Sequence, residues 1–327
     1  MSLCGVQEKQ ERQDDMYKDI FEAAEKGSVD DVRFFVEQGV DVNERNKQGE
    51  TPLFLAINNQ SYIDVLGYLI SCGADVNTKN KYEVPLLHYV VMKSNIDVLE
   101  YLISQGADVY VKDDNGGIPL HFAALHNAHI DILRCLIVSG VDVNVKNNYG
   151  ATPLHYAATN PDLDNIDVLQ YLIAQGADVN ARVDPGWTVL HILATHNSSV
   201  DILGYVIAQG LDVNARDNDG DTPLHSAINN ISCNSIDILK FLITRGADVS
   251  AKNNKGRTPL HECSSIDMLK FLITQGLDVN AKDNEGLTPM DVVTNILIAI
   301  GEEDNSYEME LKEILRAAGG KSGAELQ

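Results

Sequence analysis

Gln170-Tyr-Leu-Ile-Ala-Gln-Gly176-Ala-Asp-Val-Asn180-Ala-Arg182 is the stretch that decides the fold, because the chain keeps returning to it. Its central glycine recurs as Gly39, Gly73, Gly106, Gly140, Gly176, Gly210, Gly246 and Gly276, at successive spacings of 34, 33, 34, 36, 34, 36 and 30 residues. Each is followed by a small or branched apolar residue, then Asp-Val, and in six of the eight copies by Asn. Self-similarity at this period marks a stack of repeated units, each of which buries its apolar face only against its neighbours.

The segment Asn46–Lys79 shows one unit in full. Gly49 permits the positive φ of a tight turn. Thr51 caps a first helix, and Pro52 sits at its first position, where a missing N–H costs nothing. Leu53 and Ala56 face inward, and Ile63, Leu66, Leu69 and Ile70 form the apolar stripe of a second helix. Gly73 then ends that helix as a left-handed cap. Two short helices and a projecting turn cannot bury their apolar faces alone, so each unit must stack on the next.

The pattern resembles the ankyrin repeat. The family's Gly-x-Thr-Pro-Leu-His stretch reads Gly150-Ala-Thr-Pro-Leu-His155, Gly220-Asp-Thr-Pro-Leu-His225 and Gly256-Arg-Thr-Pro-Leu-His261, with altered forms at Gly116–His121 and Gly186–His191. The resemblance implies an all-α solenoid of helix-turn-helix units with projecting β-hairpin or turn loops. Its nine units span 16–45, 46–79, 80–112, 113–146, 147–182, 183–216, 217–252, 253–282 and 283–319, between polar tails 1–15 and 320–327 expected to be disordered. It further implies a protein that binds other proteins through hairpin tips and first helices, without catalysis.

Departures from the pattern are expectations in their own right. In the third unit Glu83 stands where glycine belongs and Pro85 where threonine belongs, which predicts a distorted tip and a lost helix cap. The gap from histidine to second helix is eleven residues in the fifth and seventh units (His155 to Ile166, His225 to Ile236) and only five in the eighth (His261 to Ile266). The first two predict longer turns. The last predicts a first helix short by about one turn and a notch in the inner face.

Composition narrows the function classes. The 327 residues carry 48 acids against 25 bases, a formal net charge of −23. Sixteen aspartates belong to the repeat itself, eight in Gly-x-Asp-Val and eight opening second helices, where a carboxylate meets the free N–H groups of the first turn. The excess disfavours nucleic acid and anionic membranes, which demand clustered Lys and Arg, and favours a protein partner with a basic patch. No apolar run reaches the length of a membrane span, and residues 1–16 lack the apolar core of a secretory signal. Five dispersed cysteines indicate neither a disulfide framework nor a zinc site. The expectation is a cytoplasmic monomer without cofactor or metal.

Nine histidines invite a catalytic or metal reading, but His88, His121, His155, His191, His225 and His261 occupy one slot of the repeat. Stacked units hold such rings roughly 10 Å apart, too far for shared ligation. His126, His129 and Asp131 form the one other cluster, with no further ligand beside them. No glycine-rich phosphate loop and no nucleophile–base pattern remains once the repeat is subtracted. Asn77, Asn144, Asn180, Asn214 and Asn280 resemble sites of asparaginyl hydroxylation in this family, although turn-stabilising hydrogen bonds explain them equally.

Removing the framework leaves the partner-binding candidates. They are Lys81, Tyr82 and Met92 in the third unit, Asn115 and His126 in the fourth, Tyr149 and Asn160 in the fifth, Pro185, Trp187 and His196 in the sixth, and Asp219, Asp221 and Asn230 in the seventh. Aromatic residues at exposed tips commonly dominate interfaces, which singles out Tyr82, Tyr149 and Trp187. The expected role is an adaptor or scaffold, a host-interaction factor among the forms it takes; the alternatives are a stoichiometric inhibitor or an enzyme's regulatory subunit.

Overall fold

The computed structural model describes residues 17–59, 62–126, 129–160, 166–196, 199–229, 235–292 and 305–326. Asn230, the lengthened turns at 161–165 and 230–234, the loop 301–304 and the amino-terminal tail lie outside the described residues. Among the described residues every regular element is a helix; two isolated antiparallel bridges, Lys79 with Pro85 and Val183 with Trp187, mark hairpins. The chain divides into two compact bodies, Met1–Asn148 and Tyr149–Gln327.

In both bodies the repeat is a short first helix packed on a longer second one. First helices such as Pro119–Leu125 and Val189–Thr195 run 7 residues. Second helices such as Ile96–Ser104 and Val200–Ala208 run 9. The second helices bury one repeated trio: Val98, Leu99 and Leu102, then Ile132, Leu133 and Leu136, and in the second body Ile202, Leu203 and Val206. In the second unit the buried trio is Val65, Leu66 and Leu69, while Ile63 and Ile70 are only half-buried. The helix Tyr62–Ser71 packs against its own first helix and against the second helices Val29–Glu37 and Ile96–Ser104. Val65, Leu66 and Leu69 stand at i, i+1 and i+4 and so share one helical face. Each such side chain contributes about 1.5–3 kcal/mol by leaving water.

Helix ends follow the sequence signals. Gly176 has φ +91°, its N–H donates to Ile173 O and that of Ala177 to Leu172 O, a Schellman-type closure. The asparagine after Asp-Val then reaches into the next unit. Asn43 Nδ2 donates to Gly73 O (2.9 Å) while its Oδ1 accepts from Asp75 N (2.8 Å). Asn214 makes the same pair with Gly246 O and Asp248 N. Tyr110 replaces asparagine and keeps half the latch, its hydroxyl donating to Gly140 O at 2.6 Å.

The eighth unit's first helix is Pro259–Glu262, only 4 residues, so the expected loss of about one turn is present. At the carboxyl end Asn280 latches onto Gly319 O and Lys321 N just as Asn43 does onto Gly73 and Asp75. Thr288 Oγ1 donates to Lys321 O and Gly323 N donates to Asp291 Oδ2. Residues 320–326, read from sequence as a disordered tail, therefore sit where a following hairpin would begin.

Candidate partner-binding surface

The framework that positions the tips is a ladder of buried histidines. Thr188 donates its N–H (3.1 Å) and its hydroxyl to His191 Nδ1, and His191 Nε2 lies 3.2 Å from Asp221 O in the next hairpin. A carbonyl carries no proton, so Nε2 must donate, which leaves Nδ1 as the acceptor for threonine. His225 repeats the arrangement with Thr222 and Arg257 O, and His261 with Thr258 and Leu287 O. Burial lowers the pKa of His88, His191, His225 and His261, so these rings are held neutral. Neutral, buried and bonded on both nitrogens, His191, His225 and His261 are structural joints.

The departures are graded. At His121 the residue in the threonine position is Ile118, which supplies its N–H (3.2 Å) but has no hydroxyl. At His88 it is Pro85, which has neither, so the buried Nδ1 has no partner although Nε2 still reaches Gly117 O at 3.0 Å. The lost cap expected for the third unit is thus present. The distorted tip is not: Glu83 adopts φ +56°, close to the +75° of Gly116, and its N–H donates to Asn80 O.

Successive tips are joined by backbone hydrogen bonds. In the first body Lys81 N donates to Gln48 O and Asn148 N to Asn115 O. In the second, Asp184 N donates to Tyr149 O, Asn218 N to Pro185 O and Asn254 N to Asp219 O. Arg182 Nη1 bridges Gly186 O and Arg216 O, and Arg216 Nη1 bridges Gly220 O and Lys252 O. The tips are therefore held in place before any partner arrives.

The candidate residues separate into four kinds. Tyr82 is 70% exposed with Lys81 Nζ 4.9 Å from its ring centroid; Met92 is also exposed, and His126 is exposed and stacked on Phe122. Asn115, Pro185, His196 and Asp219 are exposed, as is Tyr149 at 56%. Trp187 is half-buried: its indole N–H donates to Asp217 Oδ2 at 3.0 Å, tying its tip to the next. Asp221 is half-buried too, its Oδ1 accepting from Asn253 Nδ2 at 2.8 Å. Asn160 is buried, not exposed as expected. Asn59, at the same repeat position, is buried too, its carboxamide donating to Ala24 O and Gly27 O at the end of the preceding first helix. Sequence reasoning passed over Glu262 and Asn253, which hydrogen-bond to each other and, through Asn253, to Asp221 of the preceding hairpin.

Among the described residues no three His, Cys, Asp or Glu side chains stand close enough to hold a metal, and no helix is long and apolar enough to cross a membrane. Burial pushes the Cys263 thiol up to about 12, far from a reactive thiolate.

A profile of ankyrin repeats matches residues 5–80, 87–183, 181–253 and 230–294, and the chain belongs to that family. It is an ankyrin-repeat solenoid, a class built for protein–protein interaction. Curated relatives match over short stretches. Alpha-latrocrustotoxin-Lt1a of Latrodectus tredecimguttatus is 52% identical over 61 residues, 18% of this chain and 4% of that protein. Ankyrin repeat domain-containing protein oryK of Aspergillus oryzae is 40% identical over 62 residues, 19% of this chain and 10% of that protein. Human protein phosphatase 1 regulatory subunit 27 is 38% identical over 61 residues, 19% of this chain and 39% of that protein. The chain spans well under half the length of each of these relatives.

Proposed function

We propose that this chain is a non-catalytic adaptor or scaffold that docks a partner protein with a basic patch on its hairpin tips and first helices. The observation that carries the reading is the contrast between tip backbone and tip side chains. The backbone is locked by hydrogen bonds from tip to tip, while Tyr149, Pro185 and Asp219 remain exposed. A surface already ordered loses little entropy on binding. Asp184 and Asp219 are exposed on the tips of the second body, with Asp217 and Asp221 half-buried beside them, and they match a cationic partner. The first body offers Lys81, Tyr82, Met92, Asn115 and His126 as further contacts.

Affinity capture with the full chain beside a Tyr149→Ala, Asp219→Lys variant, and separately beside a Tyr82→Ala, Met92→Ala variant, tests this reading. A partner held by wild type and released by a variant with unchanged circular dichroism supports it. Retention of every partner by both folded variants removes the tips as the docking surface. Trp187 is left intact in these variants because its bond to Asp217 gives its loss a structural cost.

The second reading, a regulatory subunit or stoichiometric inhibitor, draws on the short similarity to protein phosphatase 1 regulatory subunit 27. It predicts that the captured partner is an enzyme whose rate changes on equimolar addition of this chain. An adaptor leaves that rate unaltered.

A further inference from the structure

The joint between the seventh and eighth units contains a carboxylate that the repeat does not require. The residue following the histidine slot is Tyr89, Phe122, Tyr156, Ile192 and Ser226 in successive units, and in the eighth it is Glu262, the last residue of the shortened helix. Its Oε1 accepts from Asn253 Nδ2 at 3.0 Å and its Oε2 from Asn229 Nδ2 at 3.3 Å. The same Asn253 nitrogen donates to Asp221 Oδ1 at 2.8 Å. One amide is therefore shared by two carboxylates, one from each unit, whose oxygens approach within about 6 Å of each other. At that range, half-buried, like charges interact strongly.

The cation that could relieve them is engaged elsewhere: Arg257 Nε pairs with Asp283 Oδ2 at 3.3 Å. Among the described residues no Lys or Arg forms an ion pair with Asp221 or Glu262. The charged groups acting on Glu262 are Asp221 from the seventh hairpin and Arg257 from the eighth. His225 and His261, the titratable rings of the two adjoining helices, are buried, with both ring nitrogens engaged. Burial, with the charge of Asp221 adding to it, pushes the Glu262 carboxyl up to about 7.

We propose that Glu262 is a proton switch in this joint: protonated, it presents no charge to Asp221 and the eighth unit holds to the seventh; ionised, two like charges share one amide and the joint loosens. The proton is exchanged with solvent water. A carboxyl that binds its proton more tightly in the folded state stabilises that state as pH falls, so the joint is firmest below about pH 4.5 and weakens progressively as pH rises from there to about 7. The histidine ladder acts in the opposite sense. Its rings are held neutral below their ordinary pKa, so the unfolded chain takes up protons first and stability falls as pH drops through about 6.5. Whole-molecule melting mixes the two effects, and the test must be local.

Hydrogen exchange read by mass spectrometry on the full chain at pH 6 and pH 8, corrected for the intrinsic pH dependence of exchange, isolates the joint. From pH 6 to pH 8, peptides covering 253–274 should lose about tenfold in protection relative to Glu262→Gln, which retains the opposing effect of His261; that is the linkage expected for a carboxyl moved from 4.5 to about 7. In Glu262→Gln the same peptides should gain protection over that interval, because only the histidine effect is left. Asp221→Asn, which keeps Glu262 but removes its like charge, should give a drop smaller than wild type. Circular dichroism at both pH values checks that the variants are folded. Equal pH dependence of protection in wild type and Glu262→Gln overturns the proposal.

Discussion

The tips of the third and sixth units begin from one plan and close differently. In the sixth, Gly186 takes the left-handed turn position, and Thr188 gives both its N–H and its hydroxyl to His191. In the third, Glu83 takes the same left-handed position and Pro85 gives nothing to His88. Yet the third hairpin keeps the shape of the others. Asn80 Oδ1 accepts from Tyr82 N and Val84 N, and Lys81 N is held by Gln48 O of the neighbouring tip. A backbone conformation can be imposed on an unsuited residue by the bonds around it. An absent donor cannot be supplied that way: Pro85 has no proton to give, and the buried Nδ1 is left without a partner. Steric misfits are thus absorbed by the stack, and missing atoms are not.

Histidine removal should separate the two units most strongly. His191→Ala leaves Asp221 O and both Thr188 donors unpaired and opens a cavity, so it should cost about 3 kcal/mol. His88→Ala strands only Gly117 O and should cost at least about 1 kcal/mol less. Urea midpoints of the two variants measure the gap, and equal losses would show that the histidine slot stabilises by packing alone. Pro85→Thr should move the third unit toward the sixth. It restores the N–H and hydroxyl for His88 Nδ1 against the loss of proline's fixed φ, a net gain of about 1 kcal/mol. A Tm that does not rise would mean that a water already satisfies Nδ1. The smallest effect is expected from Glu83→Gly. Releasing a non-glycine residue from positive φ should gain about 0.5 kcal/mol after the added chain entropy of glycine and the loss of the Lys79–Glu83 pair at 3.7 Å. Destabilisation by that variant would show that the side chain, not the backbone, is what holds this tip.

Much of this arrangement was legible in the chain itself. The period, the capping threonines, the C-cap glycines and the missing turn of Pro259–Glu262 are local signals that follow from spacing and residue type. Pro85 could be read as a lost cap because the loss is chemical. What resisted reading depends on partners distant in sequence. Trp187 looks like a free aromatic tip until Asp217, 30 residues on, is found accepting its N–H. Asn160 looks like an exposed helix end and is buried; at Asn59, the same slot of the second unit, the carboxamide reaches back 35 residues to Ala24 O. Glu262 follows the histidine slot, and the amide it contacts is shared with Asp221, 41 residues earlier in the chain.

The sequence by itself therefore determined the class of fold, the slots for histidine, asparagine and glycine, and where the pattern breaks. These depend on helix period, cap chemistry and backbone sterics, all of which act within a few residues. The tertiary structure decided which tip residues stay exposed, which are consumed in joining units, and which carboxylate loses its full hydration. Those outcomes depend on burial and on hydrogen bonds between side chains some thirty residues apart, where the desolvation of a polar group is set by whatever partner the stack places beside it.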